Sequence, residues 1–300
     1  MRLSSAILLL ACSAHAAEPR VVAHTGHASD VTSKSDSIRI PAGWFSFGAS
    51  EEDQHAALEL CRRGLGGMEK ACTEDLFKSE GPQKSVFLPA FYIDRTEVTV
   101  GNYRRCVHSG HCDPRPLLDA DPRLSEPQLP VTRTSWLDAQ AYCHWVSGEL
   151  PTEQQWERAA RGTAARIFPW GDAPRDSNSN HGRFVVIDPT GPYAHPMVRI
   201  DERDGTVFLS PPGAYPTGTS QEGVVDLAGN AMEWVLDVVG DEGPLRSGQP
   251  AIGSRRMLRG GSFRQPLLYQ RTTAWEAAAP ELRSPEVGFR CAGEHAIERR

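Results

Sequence analysis

The stretch RGGSFRQPLLYQR, residues 259–271, sets two glycines and a serine ahead of an aromatic ring and two glutamines. Gly260-Gly261 is a tight-turn signal, because glycine alone enters positive φ at no steric cost. Beyond the turn stand Arg264, Gln265, Tyr269, Gln270 and Trp275, polar and aromatic side chains that would line a recognition cleft if the scaffold around them is one that presents loops for binding. The plain alternative is that these five are ordinary surface and packing residues. What surrounds the turn decides which kind of chain carries it.

The chain has 300 residues, enough to bury a sizeable core in one large domain or two small ones. Its 27 glycines and 23 prolines point to a loop-rich fold with few long regular elements. A formal net charge of −6 with no basic run argues against nucleic-acid partners, which need clustered phosphate-neutralising side chains.

At the N-terminus, Arg2 followed by the apolar run Leu3–Ala11 and small residues has the form of a secretory leader. Two processing readings stay open. Ala14-His15-Ala16 is an A-x-A cleavage site, which gives a signal peptide over 1–16. Leu9-Leu10-Ala11-Cys12 resembles a lipobox, which would lipidate Cys12 and give the chain its only route to a membrane. The run is too short to span a bilayer. Either way the mature chain is expected to be exported, as a periplasmic, envelope-anchored or secreted protein. Residues 17–36 are polar and aperiodic and read as a flexible linker.

Without Cys12, six cysteines remain: Cys61, Cys72, Cys106, Cys112, Cys143 and Cys291. In an exported chain they suggest a disulfide framework with fifteen possible connectivities. Cys61 and Cys72 bracket a Gly-rich turn, and Cys106 and Cys112 bracket VHSGH. If both pairs close locally, Cys143 and Cys291 are left for each other. There is no C-x-x-C or H-E-x-x-H to suggest zinc.

IRIPAGWFSFGA, from Ile38, reads as a hairpin around Pro-Ala-Gly, and SVFLPAFYIDRTEVT, 85–99, as strand running into a helix start at Thr99. Tyr103, Cys106 and Val107 then share a helical face. Ser135 is the N-cap of a helix burying Trp136, Ala139, Cys143 and Val146. Thr152 with Gln155 forms a capping box ahead of Trp156, Ala159 and Ala160. Residues 163–222 lose periodicity, and a loop of that length needs something other than a core to pin it; a bound metal is one candidate.

Eight motifs occur in order: IPAGWFSFGA, FYIDRTEVTVGNYRRC, PVTRTSW, LPTEQQWERAARG, FPWGD, GVVDLAGNAMEWVLD, LRGGSF and VGFRCA. Together, over about residues 37–293, they resemble the sulfatase-modifying-factor family of the formylglycine-generating enzyme. The resemblance implies an irregular, loop-rich α+β single domain related to C-type lectins, placed at 37–294 with a tail at 295–300. It implies a Cys143–Cys291 bridge and structural calcium. A first calcium set falls on Asp226, Gly229, Ala231 and Glu233, and a second on Asn180, His181, Asp204 and Thr206. Carboxylates and turn carbonyls are the oxygen donors that calcium takes.

In the oxidising members of that family, two cysteines shortly after the GGS[FY] turn bind copper, and O₂ chemistry there turns a substrate cysteine into formylglycine. Those places fall here on Gln265 and Gln270. Neutral amides do not replace thiolates for Cu(I), so copper is not expected. Ser262 remains and reads as structural. Cys61 and Cys72, the one pair outside the family pattern, read as a local disulfide rather than replacement thiolates. His24, His27 and His55 lack the spacing of the iron-binding motif in other oxidases with this domain. The sequence therefore reads as an exported, non-catalytic binding module for a peptide, protein or glycan. The alternatives are a formylglycine-generating or related oxidase acting on a protein cysteine, and a structural envelope lipoprotein component.

Overall fold

A computed structural model describes residues 36–118, 121–187, 195–200, 205–239 and 255–297. The leader with Cys12, the linker up to residue 35, Asp204 and residues 298–300 lie outside the described residues. The chain opens with β1 (Ser37–Ile40), β2 (Gly43–Phe47), α1 (Glu51–Gly64), β3 (Lys84–Leu88) and β4 (Phe91–Asp94). Next come α2 (Val100–His108), a short α3 (Arg115–Leu118), α4 (Trp136–Trp145) and α5 (Glu153–Arg161). β5 (Gly182–Ile187), β6 (His195–Ile200), β7 (Met232–Val238) and β8 (Arg256–Arg259) follow, and β9 (Trp275–Ala278), β10 (Val287–Gly288) and β11 (Ala292–Gly293) close the fold. Among the described residues no helix is long and apolar enough to cross a membrane.

Capping side chains start the helices where the sequence places them. Thr99 accepts from the Asn102 amide, Ser135 closes a capping box with Asp138, and Thr152 closes one with Gln155. Each satisfies amides that the first helical turn leaves without partners. The α4 and α5 faces read from sequence are the buried ones.

Two mixed layers meet at β7. Its period-two alternation sends Met232, Trp234 and Leu236 toward α2 and α4, and Val235 toward α5. Both faces of this strand are buried over Met232–Val235 by these two clusters, and its edges are paired within a four-stranded sheet ordered β10-β7-β8-β9. A second sheet, β1-β4-β11, covers the other side of α5, with Ile40, Phe91 and Ile93 packed against Trp156 and Ala159. The result is a mixed helix-and-strand domain with short elements, as the α+β expectation had it.

The structure corrects several expectations. β1 and β2 do not form a hairpin: β1 pairs with β4, and β2 pairs with β3. A two-residue hairpin needs positive φ at its first central position, and Pro41 is locked near −65°. The segment after Phe47 is a helix with a Ser50–Asp53 capping box, and a Gly-rich turn follows only at its end. Within 163–222, β5 and β6 form a ladder from Gly182↔Ile200 to Ile187↔His195. Side-chain amides pin the rest: Asn178 Nδ2 donates to the Thr217 carbonyl at 3.1 Å, and Thr217 Oγ1 donates back to Asn178 Oδ1 at 3.0 Å. The packed domain also continues past residue 294, since Ile297 is buried in the core around α4 and its amide donates to Ser37 Oγ.

Three disulfides join Cys61–Cys72, Cys106–Cys112 and Cys143–Cys291, so all six cysteines among the described residues are paired. Cys143–Cys291 ties α4 to the start of the last strand.

Three fully buried arginines run through the core. Arg161 donates to the Gly48 carbonyl, Asp53 and Glu157. Arg259 donates to Glu157 Oε2 at 2.7 Å, Glu153 Oε1 at 3.2 Å and the Thr272 carbonyl at 2.6 Å. Arg290 grips Glu233 with two donors, at 2.7 and 2.6 Å.

Two predictions follow from this packing. The Cys143–Cys291 bridge closes 148 residues and Cys61–Cys72 only 11, which chain entropy values at about 5 and about 3 kcal/mol. Guanidinium unfolding should show the larger loss for C143S/C291S; an equal or larger loss for C61S/C72S would refute the ranking. Burial raises the Glu153 carboxyl from 4.5 to about 7, against the pull of Arg259. The native state thus holds a proton that the unfolded chain releases, so this stabilisation is full below 4.5 and fades as pH rises through about 7. Glu153→Gln should flatten the decline of Tm between about pH 5 and 7.5, and an unchanged slope would show that another group sets it.

Candidate functional site

The turn at 260–263 is shaped by close approach. Gly260 and Gly261 have φ of 91° and 69°, and a Cβ on Gly261 would stand 2.9 Å from Gln270 Cγ and from the Tyr269 carbonyl. Only glycine at 261 lets the 267–270 turn fold back this closely.

Gln270 is fully buried by that return. Its Oε1 accepts from Ser179 Oγ at 2.7 Å, and its Nε2 faces the carbonyls of Gln265, Ser262 and Asn180 at 3.3–3.5 Å. Gln265 Oε1 accepts from the Ser262 amide at 3.1 Å, and its Nε2 donates to Glu276. Ser262 is buried and donates to Glu286 Oε2 at 2.7 Å. Both glutamine amides are therefore engaged inside the protein. Arg264 is half exposed and pairs with Glu286 at 3.4 Å. Tyr269 packs beside Phe184, Leu268 and the Cys61–Cys72 bridge, which lie in one apolar cluster with α1.

The five cleft candidates therefore do not bound a deep cleft. Gln265, Tyr269 and Trp275 line a dimple of about 10 Å³, room for roughly one water molecule. The glutamine side chains fill the space, and α1 packs against the 267–270 turn. Trp275 also lines a much larger groove of about 490 Å³, together with Phe47, Ser79, Lys84, Glu153 and Arg259. That volume lies in the range of ligand pockets, and one wall carries the perturbed Glu153 carboxyl.

The residues of the first calcium set are brought together at a curled turn. Asp226, Gly229 and Asn230 all have positive φ, at 56°, 79° and 61°. Asp226 Oδ2 accepts from the Gly213 amide at 2.5 Å. Glu233 is fully buried, and its two oxygens are taken by Arg290 and by Trp156 Nε1, the latter at 2.8 Å. Of the second set, Asp204 lies outside the described residues. Thr206 Oγ1 is 2.7 Å from the Tyr215 hydroxyl, and both His181 ring nitrogens face carbonyls, at 2.7 and 3.2 Å. The Asn180 side-chain amide donates to the Phe208 carbonyl at 2.6 Å, two residues beyond Thr206, and to Asn230 Oδ1 in the turn of the first set at 3.0 Å.

Two buried oxygens near this turn have no hydrogen-bond partner: Glu97 Oε2 and Asn180 Oδ1. Burial, and then the neighbouring Asp226 carboxylate, push Glu97 well above the usual carboxylate range, and burial raises Asp226 as well. Buried acceptors without donors, crowded with carboxylates, fit a cation whose ligands are oxygens. Sequence reasoning passed over Glu97, Asn230 and Arg290. For two of them the available signal was a charged residue among apolar neighbours, Glu97 in RTEVTV and Arg290 in VGFRCA.

Solved structures resemble this chain over most of its length. PvdO from Pseudomonas aeruginosa superposes with a TM-score of 0.61 at 24% identity, covering 86% of this chain and 94% of PvdO. CarF gives 0.53 at 17% identity, covering 87% and 98%. Among curated proteins, the inactive C-alpha-formylglycine-generating enzyme 2 of Mus musculus is 36% identical over 173 residues, 55% of this chain and 49% of that protein. The formylglycine-generating enzyme of Streptomyces coelicolor is 35% identical over 178 residues, 56% of this chain and 54% of that protein. The chain thus spans about half the length of the curated relatives it matches. The model of the sulfatase-modifying factor enzyme 1-like domain matches residues 23–295, and the chain belongs to that family.

Proposed function

We propose that this is an exported, non-catalytic member of the family that binds a peptide, a protein or a glycan. The observation that carries the reading is Gln270, fully buried and hydrogen-bonded where the oxidising members hold a cysteine. A thiolate site for Cu(I) needs soft, ionisable sulfur, and the six cysteines among the described residues are tied into disulfides. Export is supported by the leader-like start at Arg2–Ala11 and by the three disulfides, which persist in oxidising compartments. The binding role is supported by the groove beside Trp275, where an indole, Phe47 and charged side chains stand on a rigid frame. Calcium belongs to the proposal as a structural ion. Asp226 and the carbonyls of Gly229 and Ala231 would help to hold it, and it would supply positive charge to a buried, carboxylate-rich turn.

The catalytic half is tested by incubating the purified protein with Cu(I), air and a cysteine-containing sulfatase peptide. No formylglycine is expected by mass spectrometry, and its appearance would restore the oxidase reading. The binding half is tested on peptide and glycan arrays. Trp275→Ala should cut the bound signal roughly tenfold while the fold persists, as expected when a large aromatic contact is removed. No specific binding on either array would remove the module reading.

A further inference from the structure

The groove beside Trp275 is lined from two directions, by the 75–84 segment with the end of β2, and by α5, β8 and β9. Hydrogen bonds tie the two together. Arg271 holds Glu80 with two donors, at 2.7 and 2.6 Å, and Thr273 Oγ1 donates to Glu80 Oε2 at 2.7 Å. The Trp275 indole N–H donates to the Ser79 carbonyl at 3.2 Å. Gly48, at the end of β2, donates to Glu157 Oε1 and accepts from Arg161, both at 2.7 Å. A space of about 490 Å³ on such a frame is already formed, so a ligand need not organise it.

Most of the charge in this groove is engaged within the protein. Glu157 gives one oxygen to the Gly48 amide and Arg161, and the other to Arg259. Arg259 is fully buried and divided among Glu153, Glu157 and two carbonyls. Lys78 and Asp75, both exposed, pair with each other at 2.6 Å. One charge of each sign is left. Glu153 meets Arg259 through Oε1 alone, at 3.2 Å, and its Oε2 has no hydrogen bond among the described residues. Lys84, exposed on β3, has no ion pair among the described residues, with Glu153 or with any other group.

The surroundings of Glu153 suit a cation. Burial raises its carboxyl to about 7; Arg259 on β8 opposes the rise, and Glu157 on α5 and Asp237 on β7 add to it. A cation at Oε2 would favour the ionised form, so its binding would release a proton near neutral pH. Phe47 and Trp275 line the same space, and cations are attracted to aromatic rings. Val239 and Met257 add apolar surface for the methylenes of a long basic side chain.

We propose that the groove binds a zwitterionic peptide segment, whose basic side chain pairs with Glu153 and whose carboxylate pairs with Lys84. The inference rests on the binding-module reading given above and names the chemistry of its ligand. A neutral glycan would leave both charges without partners, which disfavours it here. The groove is separate from the glutamine-filled dimple, and Trp275 is the one residue that lines both.

The test is calorimetry of the full chain with the synthetic peptide Ac-Lys-Gly-Glu-NH₂ and its versions with no glycine or two. The best of these should bind roughly tenfold more tightly than its norleucine or its glutamine analogue, as expected for loss of one charged hydrogen bond. Its affinity should rise from about pH 6 to about pH 8 as Glu153 gives up its proton, and that of the norleucine analogue should not. Glu153→Gln, an isostere of the protonated form, should abolish the preference for lysine over norleucine together with the pH dependence. Lys84→Met should abolish the preference for glutamate over glutamine, and gives a reading even if Glu153→Gln folds poorly, because Lys84 is exposed. Lys70→Met, outside the groove, should bind as the wild type does. Equal binding of charged and neutral peptides would overturn the inference, and a hit on the peptide or glycan arrays through other chemistry would then leave the module reading standing. Free lysine bound as tightly as the peptide would overturn the assignment to a peptide. No binding here and none on the arrays would overturn both.

Discussion

The Arg290–Glu233 ion pair is the constraint around which the remaining structure is arranged. Both side chains are fully buried, and the guanidinium spends its other donors on four backbone carbonyls, from the end of β4 and from the 225–226 turn. One side chain thus fixes the relative position of β4, β7 and the curled turn ahead of β7. Removing one partner of such a pair strands a buried charge and costs roughly 3–5 kcal/mol. The neighbouring residue, Cys291, is bridged to α4, so covalent and ionic ties act at adjacent positions. Arg259 and Arg161 repeat the arrangement on the other side of α5, sharing Glu157 between them. Short strands and loops with little regular backbone bonding are held by guanidinium groups that reach many carbonyls at once.

The same economy explains why the turn at 260–263 is a closed structure. Glutamine is long enough to fill a space and carries both donors and acceptors. At position 270 it satisfies Ser179 and faces three backbone carbonyls, and at 265 it bridges the Ser262 amide and Glu276. α1, with its Cys61–Cys72 bridge, then packs against the 267–270 turn. The open space lies in the adjoining groove, with Trp275 as the shared wall.

Much of the frame was legible in the sequence, because its signals are local. Thr99, Ser135 and Thr152 cap the helices they announce, and Trp156 with Ala159 and Ala160 is buried where the 3.6-residue period puts it. Local reading failed where a partner is distant. Pro41 looked like the corner of a hairpin, yet β1 takes its partner from β4 and β2 takes its partner from β3. The strands at 182–187 and 195–200 were submerged in a polar, proline-rich segment and became visible only as a pair. Glu97 and Asn230 offered no periodic signal, since their meaning comes from each other and from Asn180, 133 and 50 positions away from Asn230 respectively.

The three-stranded sheet has a consequence for the order of folding. β4 is flanked by β1 on one edge and by β11 on the other, so strands from opposite ends of the domain share one central partner. Phe289, Arg290 and Cys291 lie between β10 and β11, buried against partners that include Glu233, 57 positions earlier, and Asp94, 197 positions before Cys291. A chain emerging from its N-terminus would hold Glu233 without its guanidinium and Cys143 without its thiol partner until this final stretch arrived. Contacts of such sequence separation are slow to form, because loop closure must precede the gain. The domain is thus expected to remain incomplete through most of its synthesis and to lock only when its closing strand docks.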